Sequence, residues 1–141
     1  MEPERIFLAD DDATAALGAR LAANLAPGDL VLLSGGLGAG KTALARAIIR
    51  TLTGDAKLEV PSPSYALVQP YEAAGKPVLH ADLYRLREAR EIEELGLFDR
   101  PEAIVLVEWP ERARELLPRC VLAVTMVVPA DGHGRVAEVV R

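Results

Sequence analysis

Helix-like and strand-like hydrophobic patterns alternate along the chain. Leu17, Leu21 and Leu25 recur at every fourth position, which predicts an amphipathic helix over residues 14–25 with one apolar stripe, capped by Asp11 or Asp12. Residues 5–8 read as a strand before it, and Pro27-Gly28 as a turn after it. Residues 30–33 and 103–107 are unbroken aliphatic runs, too short for a helix and typical of strands covered on both faces. Between them, a helix is expected over residues 43–52. Pro61 and Pro63 then stiffen an extended segment that enters a strand at residues 65–68. The stretch Ala73-Ala74-Gly75-Lys76 turns the chain back as a strand over residues 78–83, an antiparallel hairpin. Residues 87–95 read as a helix whose Arg87–Glu91 and Arg90–Glu94 pairs lie one turn apart on a solvated face. Residues 121–128 and 136–140, joined by a turn at Asp131-Gly132, form a closing hairpin. Strands that alternate with helices early and pair locally late predict a compact α/β fold with a mixed parallel and antiparallel sheet and flanking helices.

Composition narrows the function classes. At 141 residues and 15.1 kDa the chain suits one domain, residues 1–141, and 50% apolar residues against 26% charged are enough for a core. Sixteen basic against twenty-one acidic residues give a net charge of -5, so long-range electrostatics oppose binding to nucleic acid or an anionic membrane. The uncharged apolar stretches at 30–40 and 120–130 fall short of the roughly 20 residues that span a bilayer. The opening MEPERIFLADDD lacks a basic region followed by an apolar core, so no secretory peptide is expected. One cysteine, Cys120, expected as a partly buried strand residue, allows no intramolecular disulfide or cysteine zinc cluster, and His80 and His133 are too few for a His-rich metal site. A cytoplasmic location follows most simply.

The sharpest local signal is Gly35-Gly36-Leu37-Gly38-Ala39-Gly40-Lys41-Thr42, which fits the G-x-x-x-x-G-K-[ST] phosphate-binding pattern. It begins where an aliphatic strand ends and opens a helix, so successive backbone N–H groups and the helix N-terminus are aimed at an anion. Lys41 is expected against the β and γ phosphates, and the Thr42 hydroxyl at Mg²⁺, which takes oxygen ligands. Glu108, directly after Ile104-Val105-Leu106-Val107, is the candidate acid beside the metal; a capping or surface role is the plainer alternative. The spacing does not match the dinucleotide fingerprint. The only asparagine, Asn24, is not followed by Lys-x-Asp, and Asp131-x-x-Gly134 lies in the closing hairpin, so ATP is favoured over GTP.

Further candidates have two readings each. Asp82 closes a strand on which His80, Asp82 and Tyr84 are expected to share a face; it either orients a water or metal shell at the nucleotide, or is a satisfied strand-end acid. Trp109 either packs or stacks on a base. Ser62 and Ser64, alternating with Pro61 and Pro63, either sense a γ phosphate or form a rigid surface turn. His80 is expected packed and hydrogen-bonded rather than on a metal.

Together Gly36–Thr42, the Ser-Pro-Ser-Tyr at residues 62–65, the His-Ala-Asp-Leu-Tyr-Arg-Leu at 80–86 and the Val-Glu-Trp-Pro-Glu-Arg at 107–112 closely resemble the TsaE (YjeE) family, the ATPase component of bacterial threonylcarbamoyladenosine synthesis in tRNA. The first helix and closing hairpin also agree with that family's P-loop NTPase-like fold. The resemblance implies Mg-ATP binding by residues 35–42, with Thr42 and Glu108 at the metal, Lys41, Asp82 and Glu108 in hydrolysis, and Ser64 and Trp109 linked to the nucleotide. It implies TsaD and TsaB as partners in modifying adenosine 37 of ANN-decoding tRNAs, with tRNA contacted indirectly. Family members often carry Asp or Glu where this chain has Gly36 and Thr where it has Ser64. The readings held beside this one are a small P-loop metabolite or nucleotide kinase, with Arg85, Arg87 and Arg90 as a lid, and a nucleotide-dependent interaction protein with negligible turnover.

Overall fold

The aliphatic runs become the middle of a seven-stranded sheet in the computed structural model, which describes residues 3–73, 76–88 and 90–141. In chain order the strands are β1 Glu4–Leu8, β2 Leu30–Ser34, β3 Val68–Ala73, β4 Lys76–Asp82, β5 Ile104–Glu108, β6 Leu122–Val127 and β7 Arg135–Val140. Their spatial order is β1-β7-β6-β2-β5-β4-β3. β2 pairs in parallel with β5 and β6, and β4 with β5, while β1–β7, β6–β7 and β3–β4 are antiparallel. This is the α/β fold with a mixed sheet and flanking helices that the pattern predicts, consistent with a P-loop NTPase-like fold. Pro70 sits in edge strand β3, where a missing N–H is tolerated.

Alternation along the central strands divides the core. Val31, Leu33, Ile104 and Leu106 face helices α1 (Asp11–Ala22) and α2 (Lys41–Thr53), where they meet Leu17, Leu21, Leu44, Ile48 and Ile49. Leu30, Leu32, Val105 and Val107 face Leu83, Leu86, Ile92, Leu97 and Leu116. The two helices cross closely because α1 carries Gly18: a Cβ there would lie 2.4 Å from the Ala47 Cβ.

Several local expectations are corrected. Helix α1 starts earlier than expected, because Asp10 rather than Asp11 or Asp12 is its cap, accepting from the Ala13 N–H at 2.9 Å. Residues 87–95 yield only the single helical turn α3 (Glu91–Glu94), and Arg90 pairs with Glu88 rather than Glu94. Among the described residues of this segment only Ile92 is fully buried, with Leu95 partly so, and these two neighbouring contacts do not hold a longer helix against the core. Tyr65 lies in a turn and is 86% exposed; strand pairing begins at Val68. Cys120 ends a 3-10 segment (Arg114–Arg119) just before β6. Ala74 and Gly75 of the expected turn lie outside the described residues, although the β3–β4 pairing around them is antiparallel. No helix among the described residues is long and apolar enough to cross a membrane.

Candidate functional site

The three parallel neighbours β2, β5 and β4 all point their C-terminal ends at one cavity, the crevice where open α/β sheets hold ligands. Residues 35–40 leave β2 and enter α2 there. Gly35, Gly38 and Gly40 have φ of 137°, 75° and 104°, a region costly for side-chain-bearing residues, and a Cβ on Gly35 would lie 2.5 Å from the Met126 carbonyl oxygen. Gly36 is different: its φ is ordinary and its Cβ position is open. Gly40 caps α2 without any side-chain hydrogen bond, and the first turn holds no acid, so the leading N–H groups of α2 are open to an anion.

Lys41 opens α2 but folds back over the loop. Its Nζ donates to the carbonyls of Gly35 at 2.5 Å and Gly36 at 2.9 Å and stands 3.9 Å from the centroid of the Trp109 ring. Burial pushes its pKa below the usual lysine value, while Glu108, Glu111 and Asp82 act in the opposite direction. The loop ammonium is therefore held by weak dipolar partners, and phosphate oxygens would be better ones.

Glu108 closes β5 and is 2% exposed. The Thr42 hydroxyl donates toward its two oxygens at 2.9 and 3.0 Å, and His80 Nε2 lies 2.6 Å from Oε2. Parallel register sets Asp82 directly beside Glu108. Asp82 Oδ1 accepts from the Tyr84 N–H at 2.9 Å, and Oδ2 from the hydroxyls of Ser62 and Ser64 at 3.3 and 3.4 Å. Asp82 thus ties the proline-stiffened serine loop to the strand end. Trp109, immediately after Glu108, adopts φ 59° and ψ 51°, which for a non-glycine costs about 1–3 kcal/mol. That conformation turns its ring over Lys41 and against Tyr84, with ring centroids 4.8 Å apart.

A cavity of about 290 Å³ results, lined by residues 37–43 together with Ser62, Ser64, Asp82, Tyr84, Glu108 and Trp109. Of the candidates named from the sequence, Gly38, Gly40, Lys41, Thr42, Ser62, Ser64, Asp82, Glu108 and Trp109 line it, whereas Gly35 and Gly36 meet Lys41 through their carbonyls and His80 lies behind Glu108. A second cavity, about 260 Å³, shares Gly38, Gly40 and Ala43 and continues past Leu8, Asp10 and Arg135. A larger groove of about 460 Å³ between α1 and α2 touches the loop helix only at Ala43 and beyond, and lacks Lys41, Asp82 and Glu108.

Two participants escaped sequence reasoning. Arg135 donates to the Gly38 carbonyl at 3.1 Å, bracing the loop from β7 across 97 positions, and no local signal marks such a contact. Tyr84 lies past the end of β4, so it does not share the strand face of His80 and Asp82 but packs on Trp109. His80 meets its expectation: fully buried and hydrogen-bonded.

Comparison with known proteins identifies the family and supports the fold. The family model described as "Threonylcarbamoyl adenosine biosynthesis protein TsaE" matches residues 8–135. A protein of Rickettsia felis named "tRNA threonylcarbamoyladenosine biosynthesis protein TsaE" is 35% identical over 136 residues, covering 96% of this chain and 78% of the relative. One of the same name from Synechocystis sp. is 42% identical over 118 residues, covering 78% and 72% respectively. The crystal structure of Bacillus subtilus YdiB superposes with a TM-score of 0.75 at 24% identity, covering 98% of this chain and 85% of that one, which supports the fold. With a phosphate-loop site at the strand ends and a family match over most of its length, the chain belongs to the TsaE family.

Proposed function

We propose that the chain, read as one domain over residues 1–141, binds and hydrolyses Mg-ATP and thereby supports turnover of a TsaD–TsaB complex that threonylcarbamoylates adenosine 37 of ANN-decoding tRNAs. The observation that carries this reading is the meeting of Lys41, Thr42, Asp82 and Glu108 around one glycine-loop cavity in a TsaE-family chain. Residues 35–42 would hold the phosphates through backbone N–H groups, with the nucleoside extending past Gly38 and Gly40 toward Arg135. Lys41 would exchange the Gly35 and Gly36 carbonyls for phosphate oxygens.

The donor set fits magnesium. Thr42 and Glu108 offer hard oxygens 2.9–3.0 Å apart, and among the described residues no group of three or more His, Cys, Asp or Glu could cage a metal alone. That suits an ion that keeps water and leans on substrate phosphates. When bound, Mg²⁺ would supply charge neutralisation between the β and γ phosphates. Glu108 accepts the Thr42 hydroxyl proton and so turns that oxygen's lone pairs toward the cavity. Asp82, with Ser62 and Ser64, would orient the attacking water, and Trp109 would cover the lysine side of the site.

Arg85 and Arg90 do not favour a kinase lid: Arg85 lies over Tyr65 and Arg90 pairs with Glu88, and neither lines the cavity. The acidic chain would meet tRNA indirectly, in the cytoplasm. The test is reconstitution with TsaB and TsaD. Multiple-turnover tRNA modification should require both this protein and ATP, and equal multiple-turnover yield without either one refutes the reading.

A further inference from the structure

His80 is fully buried beneath the site, on the same face of β4 as Asp82. The two residues divide the work of that strand. Asp82 secures the serine loop, whereas His80 reaches sideways to β5, with Nε2 2.6 Å from Glu108 Oε2. Its other ring nitrogen, Nδ1, is buried without a hydrogen-bond partner among the described residues. This asymmetry fixes the tautomer. With the proton on Nε2, the ring donates to the carboxylate and leaves only a lone pair on Nδ1. With the proton on Nδ1, a buried donor would stand unpaired and a nitrogen lone pair would face Glu108, at a cost of about 1–3 kcal/mol for the orphaned donor alone.

Glu108 needs such a support. The Thr42 hydroxyl has one proton to share between the two carboxylate oxygens, so that contact alone leaves the carboxylate free to swing about its last side-chain bond. A donor on Oε2 from a fully buried ring removes that freedom. Resting on the Mg-nucleotide reading above, we propose that His80 is a positioning residue, which fixes the Glu108 carboxylate against Thr42 so that Thr42 presents its oxygen to magnesium. Partners of this kind behind a metal site typically change metal affinity 10–100-fold when removed.

Two substitutions separate this role from packing. H80L keeps the apolar bulk and deletes the donor; H80Q returns an N–H at comparable reach. Calorimetry with ADP, in EDTA and in Mg²⁺, reads the gain in affinity that magnesium confers. In EDTA both variants should bind ADP within about threefold of the parent, since His80 does not line the nucleotide cavity. The magnesium gain should shrink at least about tenfold in H80L and recover most of that loss in H80Q. A full magnesium gain in folded H80L, or equal losses in both variants, overturns the proposal. Long-range ¹H–¹⁵N NMR of the nucleotide-free parent supplies a test that needs no variant and no activity: of the two histidines, the buried one should carry its proton on Nε2. A ring protonated on Nδ1 and bare on Nε2 overturns the proposal even if H80L fails to fold. A parent that binds ADP with no magnesium gain, while showing the Nε2 tautomer, refutes the magnesium role and counts against the reading of the site rather than against the His80–Glu108 contact.

Discussion

Replacing Lys41 by alanine removes a side chain with two employers, and the structure sets the size of each loss. In the nucleotide-free protein its ammonium holds two loop carbonyls and lies on the Trp109 ring. A hydrogen bond to a charged group contributes about 1.5–3 kcal/mol and a cation–π contact about 0.5–2, but burying the ammonium, which lowers its pKa, takes back much of this. The net effect on stability should stay within about 2 kcal/mol, a fall in Tm of about 4–8 °C. On the proposed reading, nucleotide binding exchanges dipolar partners for phosphate charge, so the affinity lost is the difference between those states. That difference is near the worth of one charge-assisted bond, about 2–3 kcal/mol, or about 30- to 150-fold in Kd. Calorimetric titration of Mg-ATP into K41A, with circular dichroism and a melting curve on the same sample, measures both. Binding within about threefold of the parent in a folded sample would refute the assignment. A collapse in Tm with little effect on affinity would show that Lys41 serves mainly to hold the loop.

Asp82→Asn should retain the acceptor for the Tyr84 N–H and let the two serine hydroxyls reorient, so Mg-ATP affinity should change only a few-fold while phosphate release with TsaB and TsaD falls about a hundredfold; unchanged release removes Asp82 from the chemistry. Gly36→Asp should melt within about 2 °C of the parent, because a Cβ there meets nothing within 4 Å at an ordinary φ, whereas Gly40→Ala, at φ 104° and 3.2 Å from the Met126 side chain, should lose about 1–2 kcal/mol; thermal melts of the two decide it. Tyr71 has a buried hydroxyl without a partner among the described residues, and burial raises its pKa above the usual tyrosine value. A phenol raised on folding contributes stability that is whole below the unfolded pKa and is lost as pH climbs through the folded one, so Tyr71→Phe should flatten the alkaline limb of the Tm–pH curve while costing less than about 1 kcal/mol at neutral pH.

What the sequence disclosed follows from how locally each feature is encoded. The loop at residues 35–42 was legible because strand, glycines and helix are consecutive, and Asp82 and Glu108 because each ends a run of strand residues. The link from His80 to Glu108 was not, since it depends on β4 and β5 lying parallel in one register. The helix expected at residues 87–95 misled because charge pairs at helical spacing describe a compatible surface, whereas among the described residues there only Ile92 and, in part, Leu95 pack on the core. The Arg135 brace and the Tyr84–Trp109 stack likewise depend on tertiary placement that no short window contains.

The sheet order carries a consequence for synthesis. β1, the first of the described strands, lies at an edge and pairs with β7, the last of them. On the ribosome β1 emerges before its mate and waits for residues 9–134 and β7 itself, a contact of high sequence separation that folds slowly. Until β7 arrives, β6 is itself an open edge, with Val124 and Met126 short of their final cover, and such edges invite pairing with other chains. The phosphate loop waits as well, because Arg135, which braces Gly38, opens β7. A chain stalled at residue 130 would therefore carry every residue of the glycine loop and both carboxylates, yet lack the Arg135 brace on that loop and the strand that pairs with the edge of β6.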